Sequence, residues 1–413
     1  MIYSRLTIQK ILCNVLIKDK HSNSELNNLA KLDIYSKRDF SFITKIVYGV
    51  LERKILFDFL INDIIKKSTK INLKIWIYIF LYEVYYLNKN KALVANVIVD
   101  IVKKQRYTYY NFLNAIFRKI SSSNIINKDI PSLKIKYSIS DSLYLLLRSN
   151  FSKEEIETIA KGWFQSKKIT FRIKEDDPKV VKKLMEEGDR FNILQNNKYK
   201  FCYEANSDIF KSDFLNSGHI YFQDLQGMLA VEILNPTKNK KIWDMCCAPG
   251  GKLLHIYDKV KDQSKIYATE INEKKSIILK ENITKWGCKN INLQMTDALN
   301  FNESNFDYIL LDAPCSSTGT INKNPEVKLK TINKDSFNNI LDLQKKLLLK
   351  AATSISKNGT LIYSTCSILK QENSQQIEYI IKLFPNLKLI KDYIWLGPEY
   401  NNCGFYIAHL IKE

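Results

Sequence analysis

From about residue 206 to the C-terminus, apolar runs of strand length alternate with helical patterns, and this alternation limits the fold more than any other feature. The predicted strands are KIWDM, KIYATE, INLQM, DYILLDA, GTLIYST and FYIAHLI. Strands separated by helices form a parallel sheet with helices on both faces. Ligands of such sheets bind beyond the carboxyl ends of the strands. We therefore predict an α/β domain over residues 206–413 with its site at that edge.

The residues before this region divide into two further parts. Up to residue 130, apolar positions recur at helical spacing, as in FSFITKIVYGVLERKILFDFLINDII, which predicts an all-α bundle. Residues 131–205 combine helical patterns with the run KITFRIKED, which predicts a small α+β module. The polar stretch SSSNIINKDIPS separates the two parts. The chain is thus predicted to be multidomain, with boundaries near residues 130 and 205.

The charge and hydropathy of the chain bear on its partners and its compartment. The net charge of +20 favours a polyanionic partner, although a solvated Lys-rich surface would give the same value. The most apolar window, IWIYIFLYEVYYL, is too short to cross a bilayer and contains Glu83. The N-terminus lacks the pattern of a signal peptide. We expect a cytoplasmic protein that does not enter membranes.

The eight cysteines are scattered and form no CxxC pair. Zinc sites are usually built from such pairs, so we expect no metal site. Disulfide frameworks are rare in large cytoplasmic chains, so we expect free thiols. Most free cysteines are packed core residues, and a reactive one must be identified from its neighbours.

Three strand ends carry residues that suit an adenosine-containing ligand. The stretch DMCCAPGGK, residues 244–252, follows a strand with a Pro-Gly-Gly turn that would let a ligand approach the backbone. Glu270 ends the second strand, where an acid commonly binds ribose hydroxyls, and Asp297 follows the third. Each feature alone could be an ordinary turn or a surface acid. Together, without a phosphate-binding motif, they favour S-adenosylmethionine.

Two thiols stand just past the ends of apolar strands. Cys315 follows Asp312 and Pro314 in YILLDAPCSSTG, and Cys366 follows the apolar run in TLIYSTCS. A thiolate is a strong nucleophile near neutral pH when it lies in a polar, partly exposed site. Either cysteine alone could be a packed thiol. Two of them at strand ends beside a predicted methyl-donor pocket favour a chemical role.

These motifs in this order resemble the RNA 5-methylcytosine methyltransferases of the RsmB/Nop/Sun type. DMCCAPGGK, LLDAPCSSTG with the following NPEVK, and YSTCSILKQEN carry the resemblance, and it covers nearly the whole chain. The N-terminal runs RDFSFITKIVYGVLERK and NFLNAIFRKI are similar to the helical RNA-binding domain shared with the antitermination factor NusB. Within the family, the architecture resembles most the bacterial small-subunit rRNA enzymes, whose catalytic domain has a Rossmann-like fold.

The resemblance implies a role for each site residue. Cys366 would be the nucleophile that adds to cytosine C6, and Cys315 would assist release of the methylated product. Asp312 would contact the cytosine, and Lys252 would lie near the reacting base or the cofactor. The donor pocket would map onto Cys246, Cys247, Ala248, Pro249, Gly250, Gly251, Lys252, Glu270, Asp297 and Asp312.

The implied partner is RNA, namely 16S rRNA or an assembling small subunit, bound by a monomeric enzyme. The target base would have to leave its stack to reach the pocket. Two alternatives stay open. A DNA cytosine-C5 methyltransferase would use the Pro314–Cys315 thiol as its nucleophile, and a non-catalytic RNA-binding scaffold would retain the pocket without using it.

Overall fold

The computed structural model describes residues 2–66, 68–105, 108–165, 169–174, 178–206, 209–210, 212–397 and 403–413. The chain forms two compact units. Unit 1 contains residues 1–164 and 320–332, and unit 2 contains residues 165–319 and 333–413. The three-way division predicted at residues 130 and 205 stays a prediction, and the two units describe packing alone.

Unit 1 is helical. Its helices are α1 (Ile2–Lys18), α2 (Ser22–Lys31), α3 (Lys37–Ile61), α4 (Ile71–Tyr85), α5 (Lys91–Lys104), α6 (Tyr110–Ser122), α7 (Leu133–Lys136), α8 (Asp141–Arg148) and α9 (Lys153–Gly162). Helix α4 is apolar around most of its circumference and is correspondingly buried in the core of the bundle. Glu83 in this helix is fully buried and pairs with Arg5 at 2.6 Å, which compensates its charge. No described helix has the length and apolarity of a membrane span.

Residues 320–332, which contain the NPEVK motif, belong to unit 1 although they follow the Cys315 loop in sequence. A short 3-10 helix at Pro325–Leu329 buries its polar side chains. Glu326 accepts hydrogen bonds from the backbone N and the Oγ of Ser22, at 3.0 and 2.7 Å. Lys328 Nζ donates to the carbonyl oxygens of Glu52 and Tyr137. These contacts explain why the segment packs with the helices.

The first part of unit 2 contains a small antiparallel sheet. Its strands are β1 (Ile169–Ile173), β2 (Leu194–Gln195), β3 (Tyr203–Ala205) and β4 (Ile220–Phe222), in the order β2-β3-β1-β4. Its helices are α10 (Pro178–Glu186), α11 (Gly188–Phe191) and α12 (Asp213–Asn216). Strand β1 lies within the predicted run KITFRIKED, whose residues 168, 175 and 176 lie outside the described residues.

A seven-stranded sheet forms the larger part of unit 2. Its strands are β5 (Lys241–Asp244), β6 (Lys265–Thr269), β7 (Ile291–Gln294), β8 (Phe306–Asp312), β9 (Ile355–Thr365), β10 (Leu387–Trp395) and β11 (Phe405–Lys412). Their order is β10-β11-β9-β8-β5-β6-β7. The helices are α13 (Leu225–Leu234), α14 (Gly251–Val260), α15 (Glu273–Trp286), α16 (Lys334–Ser354) and α17 (Ser374–Leu383). The predicted α/β Rossmann-like class is confirmed.

The sheet differs from the prediction at one edge. Strands β5 to β9 pair in parallel, as the alternation predicted, but β11 pairs antiparallel with both β9 and β10. Strand β10 was not predicted, because its charged, largely exposed sequence LKLIKDYIW lacks the apolar run of a central strand. The parallel part brings the carboxyl ends of β5, β6, β8 and β9 to one edge, where the candidate site lies.

Candidate active site

The turn after β5 brings backbone close to a cavity. Gly250 precedes α14 with a φ of 111°, in the left-handed region that favours glycine. A Cβ atom at this position would come within 2.8 Å of Leu279 Cδ1. Gly250 therefore allows the chain to turn sharply from the strand into the helix, as the sequence indicated.

The larger of two cavities at this edge has a volume of about 460 Å³. Its walls combine acids from the ends of β6 and β7 with apolar side chains of α16. The lining residues used below are Cys246, Ala248, Glu270, Asp297, Asp312, Cys315, Leu343, Leu347 and Cys366. The predicted donor-pocket acids thus line one space.

Glu270 and Asp297 are held in place by backbone donors. Glu270 accepts hydrogen bonds from the backbone N of Asn272 at 2.8 Å and of Ala248 at 3.3 Å. Asp297 caps a short 3-10 helix by accepting from the backbone N of Leu299 at 3.0 Å. Because these bonds fix both carboxylates, the cavity has a preformed polar wall.

A smaller cavity of about 290 Å³ shares part of its lining with the larger one. Cys246, Ala248, Asp312 and Cys366 line both cavities. The smaller cavity is also lined by Cys247, Pro249, Gly251, Lys252 and the aromatic residues Tyr221, Phe222 and Phe405. The two spaces therefore share a wall that carries a thiol and a carboxylate.

The sulfur atoms of Cys315 and Cys366 lie 3.1 Å apart. Both side chains are half-buried, and their strands β8 and β9 are neighbours in the sheet. The pKa of Cys366 is lowered, first by the hydrogen bond from Cys315, while burial opposes this shift and the Lys252 charge supports it. The pKa of Cys315 is raised well above its usual value, first by the hydrogen bond to Cys366 and then by burial. Of the two sulfurs, Cys366 therefore loses its proton more readily than Cys315.

Lys252 and Asp312 form an ion pair beside Cys366. Lys252 Nζ lies 2.6 Å from Asp312 Oδ2, and Ser364 Oγ donates to Asp312 Oδ1 at 2.7 Å. Burial disfavours the Lys252 charge, but the carboxylate of Asp312 outweighs it, and the pKa of Lys252 is raised. The lysine therefore remains a cation that faces the thiolate.

Two acids at this edge were missed by the sequence reasoning. Asp244 ends β5, lines the smaller cavity and is 1% exposed. Neither carboxylate oxygen has a hydrogen-bond partner of good geometry among the described residues, and burial raises the pKa of Asp244 to about 8. Glu372, which follows Cys366 in YSTCSILKQEN, is fully buried. Asp244 could have been predicted from its position at the end of a strand. Glu372 lies within a polar run, so its sequence gave no indication that it is buried.

Comparison with known families decides what kind of enzyme this site belongs to. Residues 231–409 match the family described as 16S rRNA methyltransferase RsmB/F, and residues 3–122 match the NusB family. Residues 231–409 are a methyltransferase domain of the RsmB/F family. The proposed site residues from Cys246 to Cys366 all lie inside the matched region. Among the described residues of this methyltransferase, no cluster of side chains suits a metal ion.

Relatives of this methyltransferase include bacterial and eukaryotic proteins. It is 26% identical to the probable ribosomal RNA small subunit methyltransferase B of Bacillus subtilis, over 93% of this chain and 90% of that protein. It is 37% identical to the 25S rRNA (cytosine-C(5))-methyltransferase nop2 of Schizosaccharomyces pombe, over 46% of this chain and 31% of that protein.

Solved structures share the fold of this methyltransferase. The crystal structure of PH0851 aligns with a TM-score of 0.84 at 23% identity, covering 99% of this chain and 98% of the other. The structure of NSun6 from Pyrococcus horikoshii with SFG aligns with a TM-score of 0.59 at 19% identity, covering 66% of this chain and 98% of the other. At these identities the likeness concerns the fold.

Proposed function

We propose that this methyltransferase transfers the methyl group of S-adenosylmethionine to C5 of a cytosine in 16S rRNA, through a covalent bond between Cys366 and cytosine C6. The observation that carries the proposal is the Cys315–Cys366 pair, whose thiolate lies in the wall shared by two cavities. The names of the relatives support the substrate: one is a small-subunit rRNA methyltransferase and another a cytosine-C5 methyltransferase.

The larger cavity suits S-adenosylmethionine. Fixed carboxylates at Glu270 and Asp297 can accept hydrogen bonds from ribose hydroxyls and from an adenine amino group, and Leu343 and Leu347 can cover a flat base. When bound there, S-adenosylmethionine supplies a methyl group activated by a positively charged sulfur. The smaller cavity, with its aromatic lining, is then left for the flipped cytosine.

The lowered pKa of Cys366 favours the thiolate that the first step requires. Its thiolate forms the bond to C6, and the electron pair of the C5–C6 double bond shifts towards C5 and N3. Lys252 and Asp312 lie beside the thiolate and can hold a proton or a hydrogen bond at N3. C5 then forms its bond to the methyl carbon while that carbon's bond to sulfur breaks.

Cys315 suits the release step because its pKa depends on Cys366. The hydrogen bond to Cys366 and the charge of Cys366 both raise the pKa of Cys315 in the resting site. Both effects end once Cys366 is bonded to C6, so Cys315 can lose its proton and act as a base. It then removes the C5 proton, the C5–C6 double bond forms again, and Cys366 leaves as a thiolate.

The proposal is tested by methyl transfer to unmodified 16S rRNA, offered both as naked RNA and in small-subunit particles, followed by bisulfite sequencing. The wild-type enzyme should protect a cytosine from conversion, and the Cys366→Ala variant should protect none. Full transfer by Cys366→Ala together with loss of transfer in Cys315→Ala would contradict the proposal and favour a nucleophile at Cys315. Transfer to DNA instead of RNA would contradict the substrate.

A further inference from the structure

The turns that carry the two thiols are joined by one buried carboxylate, which the reaction scheme does not use. Glu372 is fully buried just before α17. It accepts a hydrogen bond from the backbone N of Ser316 at 2.7 Å and from Ser316 Oγ at 2.5 Å. It also accepts from Ser367 Oγ. Ser316 follows Cys315 and Ser367 follows Cys366, so this carboxylate binds the neighbour of each sulfur.

We propose that Glu372 is a positioning residue for methyl transfer, whose buried carboxylate joins the Cys315 turn to the Cys366 turn and keeps the proton shared by the two sulfurs on Cys315. The inference rests on the proposed function only in naming Cys366 as the nucleophile. It concerns how the protein makes two similar thiols unequal.

The surroundings of Glu372 hold it in one orientation. Gln344 Nε2 donates to Glu372 Oε1 at 3.2 Å and to the carbonyl oxygen of Pro314 at 2.8 Å, so the same amide also fixes the start of the Cys315 turn. Asn373 continues the link, since it accepts from Thr365 Oγ1 at 2.5 Å and donates to the carbonyl oxygen of Ser367 at 2.9 Å. A buried carboxylate with this many donors is stabilised in place.

Glu372 makes more contacts with the Cys315 turn, through the backbone N and Oγ of Ser316, than with the Cys366 turn, through Ser367 Oγ. It contributes to the raised pKa of Cys315, after the effects of Cys366 and burial. Asp312 and Lys252 act on Cys366 with opposite effects on its pKa. Tyr363, the other titratable group near Cys315, has a raised pKa because it is buried, and it remains neutral. Glu372 is therefore the negative charge that disfavours a thiolate at Cys315.

Alkylation by iodoacetamide tests this without RNA, since a thiolate displaces iodide and labels its own sulfur. Peptide mass spectrometry gives the ratio of labelled Cys366 to labelled Cys315 in the full-length protein. We expect the Glu372→Gln variant to lower this ratio several-fold, because a negative charge that raises the pKa of Cys315 is removed. The control, Glu378→Gln, removes the same charge from an exposed position on α17 and should leave the ratio unchanged. A folded Glu372→Gln protein with the wild-type ratio would overturn the inference.

A second measurement covers the case in which Glu372→Gln does not fold. The pH dependence of alkylation is recorded for Cys315 in the Cys366→Ser variant and for Cys366 in the Cys315→Ser variant. We expect Cys315 to titrate at the higher pH, because Glu372 still faces it; the opposite order would overturn the inference. Since both measurements are independent of methyl transfer, an inactive enzyme with these thiol properties would contradict the proposed function alone.

Discussion

Lys252 Nζ and Asp312 Oδ2 lie 2.6 Å apart, although one side chain belongs to α14 and the other ends β8. Their pairing places a cation in the wall of the smaller cavity and a carboxylate in the wall that both cavities share, beside Cys366. Neither charge would be stable there alone, because both groups are largely removed from water.

Replacement of Lys252 by methionine should lower kcat by about 100-fold, the usual loss when a preorganised charge is removed from a reacting centre. The variant also loses the cation that lowers the pKa of Cys366. The acidic limb of the rate profile for covalent adduct formation should therefore move to higher pH. The control is Lys259→Met, which removes a half-exposed lysine of the same helix that pairs with Glu232. A Lys252→Met enzyme with wild-type kcat would refute the assignment.

Replacement of Cys315 by alanine should leave adduct formation possible but impair release. We expect a covalent protein–RNA species to accumulate on denaturing gels after incubation with S-adenosylmethionine and 16S rRNA. The species should be absent from Cys366→Ala and from the double variant. Cys288→Ala, which removes a thiol outside both cavities, serves as the control. A covalent species that persists in Cys315→Ala,Cys366→Ala would show that another residue is the nucleophile.

Gly319 should not tolerate a side chain. A Cβ atom there would lie 2.0 Å from the carbonyl oxygen of Gly404, and Gly319 N already donates to the Cys366 carbonyl at 2.9 Å. We expect Gly319→Ala to lower the free energy of unfolding by about 1–3 kcal/mol, the usual cost of overpacking. Gly188→Ala is the matched control, since a Cβ there meets nothing within 4 Å. Urea denaturation of both variants checks the prediction, and equal stability would contradict it.

His255 should make the stability of the protein depend on pH. Burial, and then the charge of Arg172, lower the pKa of His255 to about 4, although Glu232 opposes this. An unfolded histidine takes up a proton below pH about 6.5, which the folded one does not. Stability is therefore present above pH 6.5 and lost as the pH falls towards 4, by roughly 3 kcal/mol in all.

Urea denaturation between pH 7 and 5 measures this effect. His255→Gln should reduce the pH dependence relative to wild type, because the variant cannot take up the proton in either state. The comparison is His219→Gln, which replaces another histidine of unit 2 that lines neither cavity. If His255→Gln and wild type lost stability in parallel, the buried histidine would not be the cause.

The fold and much of the site could be predicted because strand ends are visible in sequence. Apolar runs located β8 and β9, and a parallel sheet places their carboxyl ends at one edge, so Asp312, Cys315 and Cys366 could be expected near each other. The acids Glu270 and Asp297 followed from the same rule. Their roles in catalysis and cofactor binding stay proposals until tested.

The missed features depend on tertiary packing. The short distance between the two sulfurs arises because β8 and β9 are neighbours in the sheet, and this strand order cannot be read from local sequence. The burial of Glu372 arises from the turn of Ser316, which is 56 residues away in sequence, together with the nearby turn of Ser367. A charged residue in a polar run otherwise indicates a solvated surface. Local sequence therefore gave no distance between the two sulfurs and pointed away from the burial of Glu372.

The assignment of residues 320–332 to the helical unit has a consequence for dissecting this protein. The chain passes between the units after residues 164, 319 and 332, so no single cut separates them. A fragment starting at residue 165 would carry Glu326 and Lys328 without the backbone groups of Ser22, Glu52 and Tyr137 that satisfy them. Truncation would thus disturb the polypeptide directly downstream of Gly319, because residues 320–332 depend on the helices for the partners of their buried polar groups.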